Sequence, residues 1–205
     1  YVTWRDVLAS LLSGTEEAPS AAALGEALLE RLAGRSTLLA LAPVLNDVLP
    51  LGLAENPQTT ALQGEGRAAA VRSVIAGLLA RETPLLLTLD DLQWLDSASW
   101  ALLLGVLKDV GPLLVVVSSR IGGSRTAPAG WRELIARPGS GSIRLEGLDR
   151  AAVEALILRR LGVSQVDSAL VDFIVERSNG NPFHLEQLLL SASKGAAVAA
   201  AAAAV

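Results

Sequence analysis

Apolar residues recur at helical spacing through the first part of the chain. Trp4, Val7, Leu8, Leu11 and Leu12 share one face of an expected helix, which Ser13-Gly14-Thr15 ends. A second helix is expected over Ala21–Leu32, closed by Gly34. Leu38–Leu53 is apolar but broken by Pro43, Pro50 and Gly52, so it reads as short helical turns running into a loop. Glu55–Thr60 is rich in turn formers. Helical spacing returns over Gly66–Arg81, with Val71, Val74, Ile75, Leu78 and Leu79 on one face.

The period then changes. Leu85-Leu86-Leu87-Thr88-Leu89 is a short, mostly apolar run ending in Asp90-Asp91, the look of a strand buried on both faces. A helix is expected over Ser97–Val110, with Ser97 as its N-cap, and Gly111-Pro112 stops it. Leu113–Val117 reads as a second buried strand, followed by Ser118-Ser119-Arg120. A flexible loop at Gly122–Gly130, a short helix at Trp131–Ala136 and a third, shorter strand around Ile143-Arg144-Leu145 complete this part. From Asp149 onward only helices are expected. Asp149 caps Ala151–Leu161, Asp167 opens a helix to Arg177, Ser178–Pro182 is a sharp turn, and Phe183–Ser193 is the last helix. Strand, helix and strand in succession imply a parallel sheet, whose ligands sit at the carboxyl ends of the strands. Asp90-Asp91 and Ser119-Arg120 lie at those ends.

Composition narrows the class. Hydrophobic residues make up 51% of the 205, with aromatics only 3%, so Leu, Val and Ala must fill the core. The net charge of −4 argues against a nucleic-acid surface on this segment, which would need clustered Lys and Arg. Without Cys there is neither a disulfide framework nor a thiolate metal site, and the single His184 cannot form a His cluster; it is read as a partly buried packing residue. These features fit a cytoplasmic protein. The longest apolar tract, Ala101–Val117, is interrupted by Lys108, Asp109, Gly111 and Pro112 and does not span a membrane, and no signal peptide is visible. With no Met, position 1 included, the chain is expected to be a piece of a longer protein. The alanine run at 196–205 reads either as an alanine helix or as placeholder residues, and carries no function.

The chemistry concentrates in the run from Leu85 to Asp91. Magnesium keeps most of its waters and takes one or two carboxylates together with phosphate oxygens, which a carboxylate fixed at a strand end can supply. Asp90 is then a metal acid, and Asp91 is placed to orient or deprotonate an attacking water. The plainer alternative is an acidic turn in which Asp91 or Ser97 caps the next helix.

The longer string Asp90-Asp91-Leu92-Gln93-Trp94-Leu95-Asp96-Ser97-Ala98-Ser99 resembles the STAND/AAA-type P-loop ATPase modules of bacterial signalling proteins, found in cyclase–ATPase–helical-repeat proteins and LuxR-type regulators. Other landmarks follow in the same order. Leu41–Leu51 and Gly64-Glu65-Gly66-Arg67 resemble the region before this strand in modules fused to class III nucleotide cyclases. Val115–Arg120 resembles the sensor strand that ends in Arg. Ser178–Leu188 resembles the start of a lid helix. The resemblance spans roughly Trp4 to Leu190. It implies an α/β fold: a partial parallel-sheet P-loop core of three α/β/α layers over 1–148, with a Walker B strand at 85–91, a sensor strand at 113–120 and a last strand at 142–146. A helical lid over 149–195 and the tail 196–205 follow. It assigns Asp90 to Mg²⁺, Asp91 to water activation, Arg120 to the terminal phosphate, and Gly180 and Pro182 to the lid turn over adenine. Arg120 has an equal alternative as the salt-bridge partner of Asp90 or Asp91, and Pro182 is favoured at a first helical position regardless of ligand. Trp94 is expected to pack the helix after the strand.

The departures are as informative. No Gly-x-x-x-x-Gly-Lys-Ser/Thr loop occurs: Gly122-Gly123-Ser124-Arg125 and Gly139-Ser140-Gly141-Ser142 both lack the lysine. The resemblance places that loop ahead of Tyr1, so the chain by itself is expected neither to bind ATP tightly nor to hydrolyse it. For the parent protein the resemblance implies a switch governed by ATP, ADP and Mg²⁺. It would sit between a helical-repeat sensor and an output domain, either a nucleotide cyclase or a helix-turn-helix regulator, with the Asn46–Pro50 segment favouring the cyclase type. Oligomerisation is left open. A non-catalytic interaction module that keeps the fold is the alternative.

Overall fold

Leu and Ala runs at helical spacing make most of the described residues helical, and among these residues two short Leu/Val runs pair as strands. The computed structural model describes residues 1–13, 19–120 and 129–191. The loop expected at 122–130, up to residue 128, and the tail 196–205 lie outside the described residues. The chain divides into two units, Tyr1–Gly141 and Ser142–Val205.

In the first unit, helix α1 (Val2–Ser13) buries Trp4, Leu8 and Leu12, and α2 (Ala21–Leu32) buries Leu24, Leu28 and Leu32. Ser20 caps α2, its hydroxyl accepting from the Ala23 N–H at 3.2 Å. The apolar, proline-broken stretch forms α3 (Ser36–Leu41), a 3₁₀ turn (Ala42–Asp47) and the single turn α4 (Pro57–Thr60). Its loops are pinned by side chains. Asn46 bonds both backbone groups of Leu53, at 2.8 and 3.2 Å. Asn56 caps α4 through the N–H groups of Gln58 and Thr59, and its Nδ2 reaches Ala40 O at 2.7 Å. Arg67 on α5 (Gly64–Leu79) then grips Asp47, Glu55 and the Thr59 carbonyl. Landmarks singled out in the sequence around Asn46 and Arg67 thus act together as a clasp on this loop.

The two strands are β1 (Leu85–Leu89) and β2 (Leu113–Val117), joined by α6 (Ser97–Asp109) and paired in parallel with Leu85 opposite Leu113 and Leu89 opposite Val117. Leu87 and Leu89 are buried in one core with α1, α2, α5 and α6. The opposite face carries Leu86, Thr88, Leu114 and Val116, all exposed. The strands are therefore covered on one face only among the described residues, not on both as their apolar runs suggested. A short helix α7 (Ala129–Ile135) buries Leu134 against the same core.

In the second unit the expected third strand at 142–146 is not formed. Ile143 and Leu145 are 90% and 91% exposed, and no strand pairs with them among the described residues. The following Gly147-Leu148 packs with the unit's own turn, Leu148 N–H bonding Gly180 O at 2.8 Å. Helices α8 (Arg150–Leu161) and α9 (Ser168–Ser178) are capped by Asp149 and Asp167 as read from the sequence. They and the last helix, 182–191, enclose a small core of Val153, Ile157, Val171, Ile174, Leu185 and Leu189. His184 is exposed rather than packed; Leu185 and Leu189, not it, occupy the inward face of the last helix. No helix among the described residues is long and apolar enough to cross a membrane.

Candidate functional site

Parallel pairing sets the site. Because Leu89 is opposite Val117, the next residues, Asp90 and Ser118, leave the ladder side by side. The Ser118 hydroxyl donates to Asp90 Oδ1. The Asp91 N–H donates to Asp90 Oδ1 at 3.0 Å and lies 3.2 Å from Ser118 Oγ. Two cross-bonds, Ser118 N–H to Leu89 O at 3.0 Å and Leu92 N–H to Ser118 O at 2.9 Å, hold the chain ends together past the strands.

Asp91 turns the chain sharply. Its backbone is left-handed, φ 54° and ψ 47°, a region that short polar side chains tolerate better than most. The turn drives Leu92 fully into the core and starts a 3₁₀ turn, Leu92–Trp94. Trp94 is thrown outward and is 81% exposed, so it does not pack the following helix as expected. The helix cap belongs to Asp96, not to Ser97 or Asp91: Asp96 Oδ1 accepts the Ser99 N–H at 2.7 Å and its Oδ2 accepts the Ser99 hydroxyl at 3.0 Å. Burial alone would raise the Asp96 pKa. The N–H and hydroxyl of Ser99, both donating to its oxygens, act the other way and lower it. Asp96, and neither Asp91 nor Ser97, therefore caps α6.

Arg120 approaches from the end of β2. Its Nε lies 3.9 Å from Asp91 Oδ1, with the guanidinium side chain 85% exposed and that of Asp91 51% exposed. Between them Gln93 donates its Nε2 to Asp91 Oδ1 at 2.7 Å and accepts the Arg120 N–H on Oε1 at 3.0 Å. Asp90, Asp91 and Arg120 are thus brought together, with Arg120 in the salt-bridge pairing to Asp91 that was its alternative reading. Ser118 and Gln93 were missed as individuals. The strand register points to the first, since Ser118 is one step beyond Val117 as Asp90 is one step beyond Leu89.

The family of AAA ATPase domains matches residues 1–117, more than half of the 205. The chain belongs to the AAA ATPase domain family. The match runs through β1, the acid pair and α6 to the last residue of β2. No curated protein and no solved structure matches the chain.

The donor set of this AAA ATPase domain suits a hydrated Mg²⁺ rather than a metal caged by protein. Among the described residues no three His, Cys, Asp or Glu side chains gather in a metal-binding group. Asp90 offers an exposed carboxylate whose Oδ1 is oriented by two donors, which fits a cation that takes one carboxylate and keeps its remaining places for water and phosphate.

Gly180 and Pro182 belong to the second unit, which has its own reason for them. Gly180 has φ +69°, and a Cβ there would meet Leu148 O at 2.6 Å. Pro182 is the first residue of the last helix, and Asn181 Oδ1 accepts the Phe183 N–H at 3.0 Å.

Proposed function

We propose that this chain is the nucleotide-handling part of a regulatory switch, in which ATP binding and hydrolysis govern an attached output domain. The observation that carries the reading is the gathering of Asp90, Asp91 and Arg120 at the carboxyl ends of two parallel strands, where open α/β sheets take their ligands. Membership of the AAA ATPase domain family supports the ligand class.

Each side chain has a role in this reading. Asp90 holds hydrated Mg²⁺ with a carboxylate already oriented by Ser118; the ion supplies charge neutralisation at the phosphates. Asp91 orients or deprotonates the attacking water. Arg120 exchanges its long, exposed pairing with Asp91 for the terminal phosphate, to which a guanidinium presents a fork of permanent donors. That exchange releases Asp91 when a nucleotide arrives, so empty and filled sites differ in a defined contact. Gly180 and Pro182 form the turn of a helical lid over adenine. The exposed sheet face bearing Leu86, Leu114 and Val116 is the one that the third layer of an α/β/α core covers. A helical-repeat sensor and a nucleotide cyclase or helix-turn-helix output complete the parent protein, working in the cytoplasm.

The test is ATP binding and phosphate release by the full-length protein, beside Asp91→Asn. Turnover in the parent and ATP binding without turnover in the variant support the switch. Absence of ATP binding sinks it and leaves a scaffold that keeps the fold.

A further inference from the structure

At the strand ends the Gln93 side chain bonds both loops at once. Its Nε2 donates to Asp91 Oδ1 at 2.7 Å. Its Oε1 accepts the Arg120 N–H at 3.0 Å and the Ser119 hydroxyl at 3.3 Å. The Arg120 guanidinium returns to the same Asp91 oxygen at 3.9 Å, which closes a ring of three residues. The amide orientation is dictated by the partners: a backbone N–H must face oxygen, and a carboxylate must face the NH₂ group. Local folding explains the placement. Left-handed Asp91 starts the 3₁₀ turn, Leu92 is plugged into the core, Trp94 points to solvent, and Gln93 between them is half-buried against the end of β2.

We propose that Gln93 is a positioning residue that couples the Asp91 carboxylate to the Ser119 hydroxyl and the Arg120 backbone N–H, so that the acid and the arginine of the site are set by one side chain. The proposal rests on the nucleotide reading above only for its effect on turnover; the coupling itself is a property of the protein without ligand. A hydrocarbon side chain at 93 leaves the Arg120 N–H and the Asp91 carboxylate to water. Glu at 93 keeps the acceptor for Arg120 but sets a second negative charge against Asp91. Neutral His carries one donor and one acceptor and can satisfy both sides.

The experiment measures exchange of the Arg120 amide proton with water by NMR, together with kcat and KM for ATP in the full-length protein, for Gln93→Leu, Gln93→Glu and Gln93→His. Gln93→Leu is expected to speed Arg120 exchange about tenfold and to lower kcat about tenfold or more with KM within about twofold. Gln93→Glu should keep Arg120 protected yet lose kcat, and Gln93→His should retain both. Asp91→Ala should speed Arg120 exchange in the parent and add nothing in Gln93→Leu, which tests the coupling with no nucleotide present. Unchanged Arg120 exchange in Gln93→Leu overturns the proposal, as does kcat retained despite lost protection. A protein without turnover removes the nucleotide reading, and the coupling is then decided by the Asp91→Ala and Gln93→Leu exchange rates alone.

Discussion

The hydroxyl of Ser118, one residue past β2, donates to the carboxylate of Asp90, one residue past β1. A serine thus fixes the acid that is proposed to hold the metal, and it does so because the parallel register delivers both residues to the same height. Asp90 is exposed, so little stability depends on this contact; surface bonds of this kind change unfolding free energies by about 0.5 kcal/mol or less. Its orientation matters more. Ser118→Ala is expected to leave the thermal midpoint nearly unchanged and to raise the Mg²⁺ concentration needed for nucleotide binding roughly tenfold, the usual size of a lost supporting bond behind a metal ligand. A Mg²⁺ titration of nucleotide binding, variant against parent, checks it. An unchanged Mg²⁺ requirement would separate Ser118 from the site.

How much of this was legible in the sequence depends on the scale of the cause. Helices such as α1, α5 and α6 declare themselves because their apolar positions repeat over three or more turns. The strand carrying Leu87 and Leu89 is also legible, and with it the placement of Asp90 and Asp91, because a short apolar run that ends in two acids marks where the chain leaves the sheet. What escaped was set by single residues or by neighbours distant in sequence. Asp96 took the cap expected of Ser97, since an N-cap is chosen by backbone geometry among adjacent candidates. Trp94 points outward because the left-handed Asp91 rotates the turn, and no periodicity records one dihedral angle. Ile143 and Leu145 alternate like a strand yet have no paired neighbour among the described residues, and alternation alone cannot supply one.

Gly180 and Pro182 illustrate two causes that a sequence motif merges. The chain at Gly180 is left-handed and runs against Leu148, with the Gly180 carbonyl accepting the Leu148 N–H. Gly180→Ala is expected to destabilise the second unit by about 2 kcal/mol or more, from the positive φ together with the clash at Leu148 O. Pro182→Ala should cost under about 1 kcal/mol, since a first helical position accepts either residue. Urea unfolding of both variants checks the ordering. If the turn also closes over adenine, Pro182→Ala weakens nucleotide binding without loosening the fold. An effect confined to Gly180→Ala would assign the motif to folding alone.

The clasp on the loop before α5 gives a pH dependence with a definite sign. Arg67 bonds Glu55 Oε1 at 2.8 Å and, with the Thr59 hydroxyl next in importance, lowers the Glu55 pKa below its ordinary value of 4.5. A carboxylate whose pKa is depressed by folding adds stability that is fully present above the unfolded value and lost as pH falls through the folded one. Glu55→Gln should therefore be less stable than the parent at neutral pH. The gap should persist down to about pH 4.5 and close below it as the parent's carboxylate protonates. Parallel thermal melts of the two proteins from about pH 7 to about pH 2 read this directly. A gap that widens on acidification contradicts the assignment.

Trp94 offers a reporter for the site because the other tryptophans are sheltered. Trp4 and Trp100 are buried and Trp131 is half-buried, whereas Trp94 stands in solvent beside Gln93. Its side chain touches no core, so Trp94→Phe should change stability by no more than about 0.5 kcal/mol. The same variant should remove most of the fluorescence that acrylamide quenches readily, leaving the emission of the sheltered rings. The proposed exchange of Arg120 from Asp91 to phosphate alters the loop to which Gln93 is bonded, and Trp94 is its next residue. Adding Mg–ATP to the full-length protein should therefore change the quenching of the parent and leave that of Trp94→Phe as it was. Equal responses in the two proteins would place the nucleotide-dependent change elsewhere, and no response in either, under conditions where binding is measured independently, would mean that this loop keeps one arrangement in both states.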